Sequence, residues 1–381
     1  MSNPPPDAVA QHGWLLGRVA GIPIYLGKSW PVIGIIIVLT FGPSIPLTAA
    51  VGYAVAAAYA VLLLVSVLVH EAGHAAAARA TGARVDRIVA NLWGGHTVFG
   101  TEGRRPGTAA GIAVAGPAGN LVLAAVGWLL YQTDLPPILS LLSWALAFSN
   151  LFVALFNLLP GLPLDGGFVV EALVWKLTGD RALAMVVAGW LGRVVTIGVA
   201  LWFVVQPMLQ GQTPSILTMV WIGLIGAFLW QGATQAIRSG TARRKIAAVP
   251  LSRVIRPVIV VPAHVSAATV VDALVDVPEA EHAVLVDPAG APVGFLDLAG
   301  LAAVPEERLP IVPAAALLVR PRPGWVVEAQ VGEDMSAVVA ALAGHQPGES
   351  VKEAVLVRDP SGRICGTVSL AAVDAALREP T

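Results

Sequence analysis

Val69-His70-Glu71-Ala72-Gly73-His74 lies inside the apolar run from Val55 to Ala78. The two histidines stand four residues apart, so on a helix they share one face, one turn apart. Two neutral imidazoles placed in this way can grip one Zn2+. Glu71 lies about 100° further round the helix, within reach of a water held at the same ion. As a bare pattern, His-Glu-x-x-His also arises by chance or as two packed core histidines. The setting weighs against that reading. Ionisable side chains inside an apolar span are expensive and mark function, and three of them stand here at metal-site spacing.

The 381 residues are 56% hydrophobic and only 12% charged, against about 25% charged in ordinary soluble domains. The fold class expected is a polytopic α-helical membrane protein, with room for a soluble domain besides. A net charge of −1 gives no ground for a nucleic-acid partner. The single cysteine, Cys365, excludes an internal disulfide and a cysteine-based zinc site. Met1 to Gly13 is polar and has no charged n-region, so no cleavable signal peptide is expected.

Six spans are expected: Trp30 to Phe41 with an extension towards Ala49, Ala50 to Ala80, Thr108 to Tyr131, Ile138 to Leu159, Ala182 to Val205 and Ile216 to Ile237. Gly17 to Ile24 reads as a strand or a membrane-surface piece. Arg84 to Thr101 reads as short membrane-associated strands that carry Gly94-Gly95, which need protein or water over their backbone. Ala115-Gly116-Pro117-Ala118-Gly119-Asn120 reads as a close helix-packing stretch. Arg193 falls within the fifth span, where an arginine is expected to face the bundle and find a partner. The domains expected are an entry segment over 1–28, a membrane domain over 29–240 and a soluble tail over 241–381.

Asn157-Leu158-Leu159-Pro160-Gly161-Leu162-Pro163-Leu164-Asp165-Gly166-Gly167 ends the fourth span in a rigid turn with one acid in it. Asp165 reads either as a cap of the next helix or as a third metal ligand. A catalytic zinc wants three protein ligands, and the motif supplies two. Asp134 and Glu171 are the competing acids, one in a loop on the opposite side and one on a stretch that reads as interfacial.

Arg84, Arg87, Arg104, Arg105, Lys176, Arg181, Arg238, Arg243, Arg244 and Lys245 all lie on one side of the predicted spans, and the alternate loops carry no Lys or Arg. The positive-inside rule then makes both termini cytoplasmic in a multi-pass protein of the cell membrane. His70, His74 and Asp165 fall at the cytoplasmic ends of their spans.

In the tail, Ala283 to Gly290 followed by Gly294 and Leu298-Ala299 is echoed by Ala354 to Gly362 followed by Gly366 and Leu370-Ala371. Each copy reads as strand, Asp-Pro-x-Gly turn, strand and helix, preceded by a helical stretch. The repeat resembles a tandem CBS-domain pair of α+β build. That resemblance implies an adenine nucleotide between the repeats, or a homodimer formed through them. The aspartate that such pairs place three residues after a strand-ending residue is missing: Ala372 and Gly300 stand there. A purely structural or dimerising pair is therefore an equal expectation.

Taken together, His70-Glu71-Ala72-Gly73-His74, Gly94-Gly95, Ala115-Gly116-Pro117 and the Asn157–Gly167 stretch resemble the site-2 protease family of intramembrane zinc metalloproteases, in the branch with C-terminal CBS domains. The resemblance implies one Zn2+ per chain held by His70, His74 and Asp165, with Glu71 as catalytic base. It implies Asn157, Gly94 and Gly95 as substrate-binding residues. It also implies regulated cleavage of single-span membrane proteins, such as anti-sigma factors, within the lipid bilayer. Phe168 departs from the branch, which often has a basic residue there. His96 reads as a surface histidine or a resting-state fourth ligand. The alternative is a CBS-gated channel or transporter, but residues 30–237 contain no inverted repeat.

Overall fold

The computed structural model describes residues 13–91, 94–99, 105–321, 323–343 and 354–378. The chain divides into two compact units, one ending at Thr241 and the other beginning at Ala242.

The first unit opens with strands β1 (Trp14–Val19) and β2 (Ile22–Leu26) and helices α1 (Trp30–Phe41) and α2 (Ala49–Ala80). Strands β3 (Val85–Asn91) and β4 (Gly94–Phe99) follow. Helices α3 (Pro106–Tyr131), α4 (Pro137–Asn157), α5 (Asp165–Thr178), α6 (Arg181–Leu209) and α7 (Ile216–Ala247), the last as far as Thr241, complete it. Among the described residues, five helices are long and apolar enough to cross a membrane: α2, α3, α4, α6 and α7. The protein is a multi-pass membrane protein.

The helices are built for lipid rather than for water. Their buried stripes are small or polar: Ser143, Ala147, Asn150 and Ala154 on α4, and Ala184, Ala188, Gly192 and Thr196 on α6. These positions repeat every three or four residues, so each helix presents one narrow face for close backbone approach. The large apolar side chains point the other way, with Phe148 58% and Leu155 57% exposed.

The first expected span is shorter than a crossing requires. Helix α1 has 12 residues and continues only into a 3-10 turn at Gly42–Ser44, about 18 Å for the helix itself against a hydrocarbon core of about 30 Å. The reason lies in the neighbouring sheet. Trp30 and Leu64 line one groove, and Gly42 meets the Tyr53 ring, so α1 runs back along α2 only between those levels. The last turns of α2 are flanked by the sheet instead, where Arg79 Nη1 donates to Ala20 O and Thr97 reaches Glu71.

The sheet has the order β1-β2-β3-β4. Strands β2 and β3 are parallel, with Ile24 opposite Ile88, and α1 and α2 form the crossover between them. Strand β4 is an edge, antiparallel to β3.

The second unit repeats one motif, as the CBS resemblance implies. The first copy is β5 (Val258–Pro262), α8 (Ala267–Asp276), β6 (His282–Val286), β7 (Pro292–Leu296) and α9 (Leu298–Ala302), with β8 (Leu318–Val319) added at its edge. The second is β9 (Val326–Glu328), α10 (Ser336–Ala343), β10 (Ala354–Arg358), β11 (Ile364–Ser369) and α11 (Leu370–Arg378). In each copy the first two strands pair in parallel and the next two antiparallel. Side chains alternate across the central strands. Ala283 and Leu285 pack in their own copy, and Val284 and Val286 join Ala354 and Leu356 in a cluster shared by the two copies. The two Asp turns close identically. Asp287 Oδ1 accepts from the amides of Ala289 and Ala291, and Asp359 Oδ1 from those of Ser361 and Arg363. The Ser361 hydroxyl, with those amides, holds the Asp359 carboxyl below its ordinary range.

Candidate metal centre

Helix α2 brings His70 and His74 to one face, with their Nε2 atoms 3.1 Å apart. Asp165 is the first residue of α5, so it does open a helix. Its carboxylate also reaches both imidazoles, with Oδ2 3.1 Å from His70 Nε2 and Oδ1 3.4 Å from His74 Nε2. One ligand atom from each of the three residues lies within 4.8 Å of the others.

The donor chemistry shows what belongs between them. His74 Nδ1 lies 2.7 Å from Ile112 O, a main-chain acceptor, so Nδ1 carries the proton. His70 Nδ1 lies 2.5 Å from Asn120 Oδ1 and donates likewise. With both rings neutral, as metal-ligating imidazoles are, both Nε2 atoms are bare lone pairs facing a carboxylate. In that state neither ring offers a proton to Asp165 Oδ2, which is buried without a hydrogen-bond partner. Three acceptors converging on one point repel one another unless a cation sits among them. Two imidazoles and one carboxylate with free lone pairs fit a single Zn2+.

Glycine makes the room. A methyl group on Gly116 of α3 would lie 2.3 Å from His74 Nε2 and 2.8 Å from His70 Nε2, so any side chain there fills the ligand space. Pro117, which removes the helix donor to Ala113 O, loosens α3 beside the carbonyl that His74 uses.

Glu71 is buried on the next position of α2. Thr97 Oγ1 on β4 lies 2.8 Å from Glu71 Oε2 and 3.1 Å from Glu71 O. A Cβ on Gly95 would lie 2.3 Å from Glu71 Cγ, so the strand passes directly over this carboxylate. The structure therefore brings Gly95 to Glu71, on an edge strand that begins at Gly94. Asn157 is the half-buried last residue of α4, eight positions before Asp165. His96 pairs with Val89 in the sheet, and its side chain lies outside the described residues.

The loop that presents Asp165 is held by main chain. Leu162 N donates to Ala188 O of α6 at 3.1 Å. A methyl group on Gly192 would collide with Leu162 O, and one on Gly232 of α7 would lie 2.5 Å from Pro163 Cγ.

The competing acids are placed elsewhere. Glu171 is buried, and it pairs with Arg181 Nε at 2.9 Å. Asp134 lies between α3 and α4. Arg193 has its partners: its guanidinium is sandwiched between the rings of Trp190 and Trp230, 4.7 and 4.8 Å from the centroids, and Nη2 donates to Thr234 Oγ1.

Asn120 and Thr97 touch site residues and were not singled out by sequence reasoning. Asn120 sat in a stretch read only for packing. Thr97 shares the β4 face with Gly95, a link that needs the strand's register to be known.

Residues 58–135 and 132–205 match the model of Peptidase family M50. Rip3 of Mycobacterium tuberculosis, whose name contains the words zinc metalloprotease, is 37% identical over 231 residues. That alignment covers 58% of this chain and 57% of Rip3, so the chain matches less than two thirds of that relative's length. The solved site-2 protease from Methanocaldococcus jannaschii aligns over 59% of this chain and 94% of its own, with 24% identity and a TM-score of 0.42. The CBS domain of a bacterial CNNM/CorC family Mg2+ transporter aligns over 37% of this chain and 82% of its own, with 15% identity and a TM-score of 0.29.

Proposed function

We propose that the protein, which matches the model of Peptidase family M50 over residues 58–135 and 132–205, is a zinc-dependent intramembrane endopeptidase. One observation carries the reading: two imidazole nitrogens and a half-buried carboxylate converge within 4.8 Å, beside the fully buried carboxylate of Glu71. His70, His74 and Asp165 hold the ion. A zinc ion there supplies Lewis acidity toward a peptide carbonyl and toward the attacking water.

The chain's own groups do the rest. Glu71 takes a proton from the water as its oxygen bonds to the scissile carbon, and it passes that proton to the leaving nitrogen as the C–N bond breaks. Thr97 holds the carboxylate in place. A transmembrane helix hides its carbonyls in hydrogen bonds, so the substrate has to unwind locally. The outer edge of β4 offers it a partner by strand addition, and Gly95 leaves room for backbone beside Glu71. Asn157 contributes a further contact to that extended segment.

The substrates are single-span membrane proteins cleaved in regulated intramembrane proteolysis, with anti-sigma factors as the class to try first. The excess of basic residues on one side of the spans supports cytoplasmic termini in a cell-membrane protein. The CBS pair regulates the protease, through an adenine nucleotide or through dimerisation. A channel gated by the tail would have no use for the converging lone pairs.

The purified protein in lipid vesicles is expected to cleave a model single-span substrate. A zinc chelator is expected to stop cleavage, and added zinc to restore it. Cleavage that continues unchanged after zinc has been stripped to background would refute the proposal.

Thr97→Val keeps the shape and removes the hydroxyl. A hydrogen bond to a charged group contributes about 1.5–3 kcal/mol, so the cleavage rate is expected to fall about 10- to 100-fold. Zinc content should stay at the wild-type level. An unchanged rate would remove Thr97 from the account of Glu71.

A further inference from the structure

His70 is oriented by a line of buried polar groups that ends on main chain. Asn150 of α4 donates from Nδ2 to Leu146 O at 2.9 Å and to Ser66 Oγ at 2.9 Å. Leu146 O can only accept, so the NH2 end of Asn150 must face it. Asn150 Oδ1 is thereby turned towards Asn120 Nδ2, 2.7 Å away. Asn120 has then committed its NH2 end, with Ser66 O as a second acceptor at 3.4 Å. Its Oδ1 is left to face His70 Nδ1. Ser66 closes the far end by donating to Leu62 O at 2.8 Å.

Every link has the same polarity, and its far end cannot reverse. If either amide turned over, Asn120 would offer N–H to His70 Nδ1. The imidazole would then carry its proton on Nε2, in the space that the ligand atoms share. Water cannot repair such an error, because Asn120 is 1% and Asn150 0% exposed. Polar groups between membrane helices also serve as packing glue, but glue has no need of a fixed direction or of an end on a ligand.

We propose that Asn150 and Ser66, which touch none of the three ligands, are positioning residues for the metal centre. They set the amide direction of Asn120, and through it the tautomer of His70 that offers a lone pair at Nε2. The inference rests on the zinc-site reading above.

The test measures zinc affinity of the full-length protein in detergent, by competition with a chromogenic chelator, alongside thermal unfolding. Asn150→Asp can still accept from Asn120, and Ser66 can turn its hydroxyl to meet it, so the direction survives at the cost of a buried charge. Asn150→Leu is easily buried but carries no direction. The expected result is an inversion. The Leu variant unfolds at the higher temperature of the two and yet loses about 10-fold or more in zinc affinity, while the Asp variant stays within a few-fold of wild type. Ser66→Ala should lose less than Asn150→Leu, because Leu146 O still anchors the amide.

In zinc-free protein labelled with 15N-histidine, the His70 signals should report a proton on Nδ1 in the wild type and a mixture of tautomers in Asn150→Leu. Should the Leu variant not fold, the Ser66→Ala and Asp variants decide on the same two readouts. Equal zinc affinity in all variants, or a Leu variant that binds as tightly as the Asp variant, overturns the proposal. A wild-type protein that binds no zinc overturns the metal-site reading itself and the proposal with it.

Discussion

Glu71→Gln is expected to abolish cleavage while leaving zinc bound. Glutamine keeps the length and the branching of the side chain. Its Oε1 can still accept from Thr97, so the β4 contact at 2.8 Å survives the exchange. Neither histidine nor Asp165 is touched. What disappears is the capacity to take a proton from water and return it to the amine, a contribution of about 100- to 10,000-fold in rate. Immunoblots of a co-expressed single-span substrate should show product with wild type only, and metal analysis should show the same zinc content in both proteins. If both proteins cleave alike, a host protease is responsible and Glu71 is not the base. If the variant loses zinc as well, Glu71 is a ligand or supports one.

Asp165→Ala is expected to empty the metal centre. The histidines alone would then offer two lone pairs 3.1 Å apart, with no negative charge to balance a dication. Zinc content after dialysis should fall from about one per chain to near background, and cleavage should fall with it. The N-terminus of α5 should survive, because Asp165 sits at the first position of that helix while Leu164, the cap residue, makes no side-chain cap. Circular dichroism and unfolding temperature should therefore change little. Full zinc occupancy in this variant would end its assignment as a ligand.

The parts of the centre that could be read in advance are those set by local spacing. His70 and His74 follow from the helical repeat, and Asp165 from the prolines and glycines that bracket it. Asn150 could have been read: it is an amide within the apolar run of α4, and burying an unpartnered amide in a membrane is costly. Its partner could not, because the pairing with Asn120 depends on how α3 and α4 rotate against each other, and no local pattern encodes that angle. The length of α1 was hidden for a similar reason. Trp30 to Phe41 is apolar enough to open a crossing, and only the fold shows that the helix has 12 residues and follows directly on a strand paired with β3.

Helices α6 and α7 supply no ligand, yet the Asp165 loop is seated on them through Ala188, Gly192 and Gly232. A fragment cut after α5 would contain the whole motif and still lack the bed that aims its third ligand. The smallest excisable unit of this protein is therefore larger than its signature, and its far boundary lies beyond Gly232. Anyone transplanting the centre into another scaffold has to carry over two helices that contribute nothing but backbone surface.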